Sequence, residues 1–298
     1  MVRAAGTESL VEGTDGLYRC QLRGRLKEGV RATSSPIAAG DWVEFCLTAP
    51  GRGVIEAVAP RRSVLSRGAS GQRSWEQVLA ANLDRFFIVV SAREPAFNPG
   101  FVDRALVMAL RGEVTPVVCI NKVDLDPERR CLEAVQLYSG LGYEVLQTSA
   151  LTGEGTDALR QQFAGRASAL VGQSGVGKSS LLNQIEPGLS LATQELMSRH
   201  DRGRHTTAVT QLHALSIGGY VADTPGIKQL RPWGLTRSNL VEHFVEMAPL
   251  ATTCQFRNCS HLHEPGCAIR ESVLSGRIAP LRYESFCRMA RGIEKAGE

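Results

Sequence analysis

Aromatic side chains are sparse in this chain, 6 % of 298 residues, and neither sign of charge dominates, with 34 Lys and Arg against 30 Asp and Glu. No internal repeat and no low-complexity segment interrupts it. With 43 % hydrophobic and 21 % charged residues, the composition excludes disordered and collagen-like chains and fits a folded globular protein. No apolar run approaches the roughly 20 residues needed to cross a bilayer; Phe86–Val90 and Val117–Ile120 are strand-length. Met1–Glu12 holds one arginine and no long apolar segment, so no secretory signal is expected and the expected location is cytoplasmic, away from membranes. A domain takes about 100–200 residues, so the length suggests two domains, or three small ones.

The small excess of positive charge is unevenly spread. Residues 1–75 carry 11 basic and 7 acidic side chains, residues 76–199 carry 11 and 14, and residues 200–298 carry 12 and 9. Two basic ends flank an acidic middle, a distribution that suits an anionic partner such as nucleic acid, or simply a solvated surface. Of eight cysteines, Cys20, Cys46, Cys119, Cys131 and Cys287 are scattered, while Cys254, Cys259 and Cys267 cluster with histidines. In a cytosolic chain such a cluster points to a metal rather than to disulfides.

Residues 16–67 read as β. Leu17–Leu26, Asp41–Leu47 and Val54–Val58 are strand-length and are punctuated by glycines and prolines, which suggests a small barrel or sandwich. About 60 residues suits a five-stranded OB barrel, a common nucleic-acid platform, and Arg19, Arg23, Arg25, Lys27 and Arg31 lie along its first hairpin region. From about residue 80, strands (Arg85–Val90, Val117–Ile120, Tyr143–Gln147, Ala169–Val171) alternate with helices (Phe101–Arg111, Pro127–Tyr138, Thr156–Phe163, Lys178–Ile185). That alternation predicts a parallel sheet covered on both faces. Beyond about residue 235 the chain reads as mainly helical. The expected fold is therefore multidomain: a barrel over 1–68, an α/β domain over 69–235 and a small helical domain over 236–298.

The sharpest local signal is Gly172-Gln173-Ser174-Gly175-Val176-Gly177-Lys178-Ser179-Ser180, which satisfies the phosphate-binding pattern G-x-x-x-x-G-K-[ST] between an apolar strand and an apolar helix. Backbone N–H groups at a helix N-terminus are pre-aimed at an anion. The glycines let the backbone wrap it, Lys178 reaches the β- and γ-phosphates, and Ser179 offers a hydroxyl to Mg²⁺.

A phosphate loop does not choose the base. Asn121-Lys122-Val123-Asp124 follows the strand Val117–Ile120 and fits the guanine reader N-K-x-D. The Asp124 carboxylate can accept from guanine N1–H and from the 2-amino group; adenine has no such donor pair and would leave the carboxylate unpaired. Asn121 would meet the N7/O6 side and Lys122 would lay its stem over the base. Thr148-Ser149-Ala150 after the next strand suits the companion loop on guanine O6. Asp223-Thr224-Pro225-Gly226 fits D-x-x-G, with Asp223 on Mg²⁺ through water and the Gly226 N–H on the γ-phosphate; Thr206 or Thr207 could complete the Mg²⁺ shell. These elements run in an unusual order, guanine readers before the phosphate loop, and a circular permutation explains it, since closely spaced surface termini tolerate being joined and reopened. Many GTPases place a water-orienting glutamine soon after D-x-x-G. Here Ile227 stands there, so His205, with Gln229 as the alternative, is the candidate catalytic group.

Cys254-x4-Cys259-x-His261-x5-Cys267 offers three thiolates and an imidazole within 14 residues, a full tetrahedral Zn²⁺ set with no position left for water. His263 is a competing fourth ligand. A structural metal suits a roughly 60-residue unit with little core of its own.

Taken together, the motif order, with Gly40-Asp-Trp-Val-Glu-Phe45 in the barrel and Glu264-Pro-Gly-Cys267 in the cysteine cluster, resembles the RsgA (YjeQ/YloQ) family of bacterial GTPases over nearly the whole chain. The resemblance implies GTP hydrolysis to GDP and phosphate in late maturation of the small (30S) ribosomal subunit, stimulated by that subunit, with a barrel and zinc domain that grip ribosomal RNA. It implies GTP or GDP, Mg²⁺ and one structural Zn²⁺ as ligands, His205 as the catalytic candidate, other assembly factors as further partners, and a monomer. Ala208 departs from a third threonine frequent in the family, so Thr206 and Thr207 both stay open. Two other functions fit parts of the same pattern: a permuted GTPase acting on the large subunit, and an RNA-binding module that holds GTP without turning it over.

Overall fold

The structure, a computed structural model, describes residues 1–4, 8–24, 26, 36–68, 75–189, 210–223 and 230–297. Among the described residues its spine is a mixed sheet of eleven strands, in the order Glu144–Gln147, Thr115–Asn121, Arg85–Ser91, Arg166–Val171, Gly219–Asp223, Gln211–Ala214, Val2–Ala4, Ser9–Glu12, Leu17–Leu22, Arg52–Val58 and Val43–Ala49, with a separate hairpin of Val64–Gly68 and Glu76–Ala81. The first six of these form the central α/β layer: β8 (Arg85–Ser91), β9 (Thr115–Asn121), β10 (Glu144–Gln147), β11 (Arg166–Val171), β12 (Gln211–Ala214) and β13 (Gly219–Asp223). All neighbours in it run parallel except β12, which is antiparallel to β13.

Both faces of this layer are covered, which explains why its strands read as unbroken apolar runs. In β8, Phe86, Ile88 and Val90 pack toward α1 (Pro99–Arg111), with α2 (Leu132–Gly140) on the same side. Phe87 and Val89 face the other way, toward α3 (Thr156–Phe163) and α4 (Lys178–Ile185), where Phe87 stacks on Phe163 at 4.1 Å. The expected helix over Pro127–Tyr138 starts later, at Leu132. The preceding residues turn instead: the Asp126 carboxylate accepts from the Cys131 N–H at 2.8 Å, and Arg129 is left-handed at φ 52°.

The N-terminal unit uses β1 (Val2–Ala4), β2 (Ser9–Glu12), β3 (Leu17–Leu22), β4 (Val43–Ala49) and β5 (Arg52–Val58). β1 and β2 precede the β region expected from residue 16 onward; at three and four residues both are too short to show a pattern. β3 and β5 pair in parallel while β4 and β5 are antiparallel, and Val2 accepts from the Gly40 N–H and donates to the Asp41 carbonyl (2.8 and 2.9 Å). Val2, Val11, Cys20, Ile37 and Ile55 fill the interior of the unit. β1 also pairs antiparallel with β12, Ala4 opposite Gln211, which fuses the two sheets; the Tyr220 hydroxyl donates to Glu12 at 3.0 Å across the joint.

The hairpin β6 (Val64–Gly68) and β7 (Glu76–Ala81) links the two units. Gly40, at φ +94°, lies so close to it that a Cβ there would sit 2.0 Å from the Ala81 carbonyl oxygen. The C-terminal unit comprises α5 (Arg237–Leu240), α6 (Ala248–Ala251), α7 (Ala268–Leu274) and α8 (Pro280–Gly297) around Leu240, Phe244, Met247, Ile269 and Phe286. Arg282 on α8 is 1 % exposed. It binds Asp103 of α1 at 2.6 Å and Glu246 at 2.7 and 3.0 Å. No helix among the described residues is long and apolar enough to cross a membrane.

Candidate functional site

β11 ends at Val171, and the chain then makes a tight loop that enters α4 at Lys178. Two glycines are demanded by close approach. A Cβ on Gly172 would meet the Val89 carbonyl oxygen at 2.5 Å, and one on Gly177 (φ +92°) would meet Asn121 Nδ2 at 2.4 Å. Lys178 Nζ donates to the Gly172 and Gln173 carbonyls at 2.8 and 2.9 Å, and burial lowers its pKa. The ammonium is thus folded back over the loop's mouth. Ser179 and Ser180 stand exposed in the first turn of α4, Ser174 and Gly175 are exposed at the loop's tip, and Val176 is buried beneath it.

The Asn121–Asp124 segment meets this loop directly. Asn121, 1 % exposed, donates through Nδ2 to the Val176 carbonyl at 2.8 Å. Its Oδ1 accepts from Thr148 Oγ1 at 3.1 Å and from the Ala150 N–H at 3.2 Å. One amide therefore ties together three loops that are separate in sequence. Ser149 Oγ donates to Asp124 Oδ1 at 2.5 Å, aiming the carboxylate that the sequence reading gave to the base. Val123 and Asp124 form a short 3-10 turn, entered through a left-handed Lys122 at φ 61°. Lys122 Nζ donates to the Glu94 carbonyl at 2.5 Å; that contact comes from the β8–α1 loop, which carries no motif and which sequence reasoning missed.

Asp223 ends β13, the neighbour of β11. Burial raises its pKa, opposed by the charge of His213. A half-buried carboxylate so placed beside the phosphate loop has the chemistry of a cation ligand. His205, Thr206, Thr207, Gly226, Ile227 and Gln229 lie outside the described residues, as do Arg25, Lys27 and Arg31.

In the C-terminal unit the four sequence-predicted ligands converge: the donor atoms of Cys254, Cys259, His261 and Cys267 all lie within 4.8 Å of one another. Cys254 Sγ is 3.5 Å from His261 Nδ1 and 4.0 Å from Cys267 Sγ, and Cys267 Sγ is 3.6 Å from the same nitrogen. A tetrahedron with metal–sulfur bonds of about 2.3 Å has edges of about 3.8 Å, so the set fits Zn²⁺. Burial pushes the Cys259 thiol up to about 12, and a cation among the four donors would hold it as the thiolate. His263, the competing ligand, is exposed and turned toward Glu264. Glu264 braces the ligand loop instead, accepting from the Ser260 N–H at 2.8 Å.

Known proteins match this arrangement. The family described as RsgA GTPase matches residues 58–233. The small ribosomal subunit biogenesis GTPase RsgA of Gemmatimonas aurantiaca is 39 % identical over 297 residues, covering 95 % of this chain and 96 % of its own. That of Moorella thermoacetica is 40 % identical over 286 residues, covering 96 % and 93 %. Among solved structures, YjeQ from Thermotoga maritima superposes with a TM-score of 0.78 at 34 % identity, covering 98 % of this chain and 99 % of its own. YloQ, described as a circularly permuted GTPase, gives 0.73 at 27 % identity over 99 % and 94 %. The chain is a GTP-hydrolysing enzyme and belongs to the RsgA GTPase family.

Proposed function

We propose that this GTPase binds GTP between the Gly172–Ser180 loop and the Asn121–Asp124 and Ser149–Ala150 loops, hydrolyses it to GDP and phosphate, and does so in late maturation of the small (30S) ribosomal subunit, stimulated by that subunit. The observation that carries the reading is the Asn121 amide, which holds a guanine reader and a phosphate loop at one site although the chain presents them in permuted order. Asp124, oriented by Ser149, reads guanine N1–H and the 2-amino group. Backbone N–H groups from Gly172 to Ser179 receive the phosphates at the start of α4, and Lys178 leaves its two carbonyl partners to neutralise the β- and γ-phosphates. Ser179 and Asp223 would hold Mg²⁺, with Thr206 or Thr207 beside them; the ion offsets charge on the phosphates. Gly226 would donate to the γ-phosphate. Ile227 cannot orient water, so His205 or the ribosome supplies that group: His205→Ala is expected to keep GDP affinity and to lose stimulated turnover, measured as phosphate release with small subunits.

Three units carry this, over 1–68, 69–235 and 236–298. The first is an OB-type barrel, a reading supported by the order β1-β2-β3-β5-β4 with its parallel β3–β5 pair. Barrel and C-terminal unit bind ribosomal RNA. The basic ends support this, as does Trp42, 55 % exposed on the barrel, a surface on which a base can stack. Cys254, Cys259, His261 and Cys267 would hold a structural Zn²⁺. The protein acts in the cytoplasm as a monomer, alongside other assembly factors.

The test is GTP hydrolysis by the purified protein alone and with small subunits, large subunits or whole ribosomes. Slow turnover alone, raised strongly by small subunits, supports the reading. No stimulation by any particle removes the ribosome-dependent part, and stimulation by large subunits alone moves the enzyme to the other particle.

A further inference from the structure

Ser91 ends β8 opposite Asn121 in the sheet and is 1 % exposed. Its hydroxyl donates to the Glu94 carbonyl at 3.0 Å and accepts from the Arg93 N–H at 3.4 Å, closing a turn on itself. The Ala92 N–H donates to the Asn121 carbonyl at 2.8 Å, which fixes the turn to the first residue of the guanine motif. Lys122 Nζ is the second donor to the Glu94 carbonyl, at 2.5 Å, so both acceptor positions of that oxygen are filled. On its far side the turn reaches the phosphate loop: Pro95 Cδ lies 3.9 Å from where a Cβ on Gly175 would stand. The turn therefore occupies the corner between the base-reading loop and the phosphate loop.

We propose that Ser91 is a positioning residue for nucleotide binding, acting through the Glu94 carbonyl to fix Lys122. The inference rests on the guanine site proposed above. The Lys122 stem has four rotatable bonds and leaves a left-handed backbone; what sets its course is the anchor at its tip. With the tip held at Glu94, the alkyl stem lies along the wall against which the base packs, and its rotamer freedom is already lost before the nucleotide arrives. Without the Ser91 hydroxyl the Glu94 carbonyl is free to turn toward water, the ammonium follows it, and the stem must be ordered on binding. The base-edge hydrogen bonds of Asp124 are untouched, because its partner is Ser149. The effect is thus on packing of the base plane, common to guanine and hypoxanthine, and not on reading of the 2-amino group.

The experiment measures dissociation constants of GDP and IDP for the full chain in four forms: wild type, Ser91→Ala, Lys122→Met and the double variant. Lys122→Met keeps an alkyl stem and removes the anchored ammonium. Ser91→Ala is expected to weaken GDP and IDP by the same factor, about three- to tenfold, the loss of one hydrogen bond. In the Lys122→Met background it should add less than twofold, and Ser91→Thr should restore the wild-type constants. An undiminished Ser91→Ala loss in the Lys122→Met background overturns the proposal, as does a loss confined to GDP. Should Ser91→Ala fail to fold, Lys122→Met alone decides: an equal weakening of both nucleotides supports the anchor, and unchanged affinities overturn it. A wild-type protein that does not prefer GDP over IDP would instead sink the guanine site itself.

Discussion

Asn121 uses both ends of its amide, and its partners Val176, Thr148 and Ala150 come from two other loops. Such a residue is legible in sequence because chemistry restricts it: only a short side chain with both a donor and an acceptor can join two loops in this way. The same holds for Lys178, Ser179 and Asp124, whose proposed roles need particular functional groups at particular offsets. Ser179 stands exposed at the first turn of α4 with nothing in the fold to stabilise. Ser179→Ala should therefore leave thermal stability unchanged and lower Mg²⁺-dependent turnover on the order of 100-fold, a typical cost of one lost contact to the reacting charge; a magnesium titration of kcat checks it. Asp223 gives a pH dependence. Burial raises its pKa, so protons compete with Mg²⁺ at higher pH than at an exposed aspartate. Mg²⁺ affinity of the GDP complex should weaken as pH falls through the raised value, and Asp223→Asn should flatten that profile. What stayed hidden at this scale is Lys122's anchor, since a main-chain carbonyl in a motif-free loop leaves no trace in residue types.

Elements divided along similar lines. Strands β8, β9 and β11 and helices α1, α3 and α4 were legible because burial on two faces makes a strand a solid apolar run and burial on one makes a helix amphipathic. β1 and β2, three and four residues long, offered no period to read; they are held by neighbours, through the Ala4–Gln211 pairing and the Val2 contacts. The hairpin β6–β7 was missed because its two strands fall on either side of the boundary drawn between the β region and the α/β domain. Its placement depends on Gly40, where left-handed backbone and a carbonyl 2.0 Å from any Cβ leave no space for a side chain. Gly40→Ala should destabilise the protein by about 3 kcal/mol, combining backbone strain with a forced separation of the N-terminal unit from the hairpin. Urea unfolding of the variant measures it, and a change under 1 kcal/mol would show that the two elements separate freely.

At the scale of the whole molecule, the permuted order has a mechanical consequence. Among the described residues β13, which ends at Asp223 beside the phosphate loop, is the last strand before the C-terminal unit, while β12 beside it pairs along its other edge with β1 of the N-terminal unit. Both outer units thus join the nucleotide layer near the elements that flank its phosphate end. The C-terminal unit has a second attachment, the buried cluster of Arg282, Asp103 and Glu246, closed by the Tyr138 hydroxyl on Asp103 at 2.9 Å. Burial opposes the Arg282 charge, but the hydrogen bonds it donates to Glu246 and the charges of both carboxylates overcome it, and its pKa is raised. Arg282 also lies over the Phe244 ring at 4.6 Å. Desolvation makes such a cluster a poor source of net stability, yet removing one member strands the others. Arg282→Met should cost about 3–5 kcal/mol and should separate thermal unfolding of the C-terminal unit from that of the nucleotide layer, so that one calorimetric transition becomes two. Neutralising all three, with Asp103→Asn, Glu246→Gln and Arg282→Met together, should recover much of that cost because no buried charge is left alone. If the triple variant is as unstable as the single one, the cluster acts by shape and packing, and charge balance is not what joins α8 to α1.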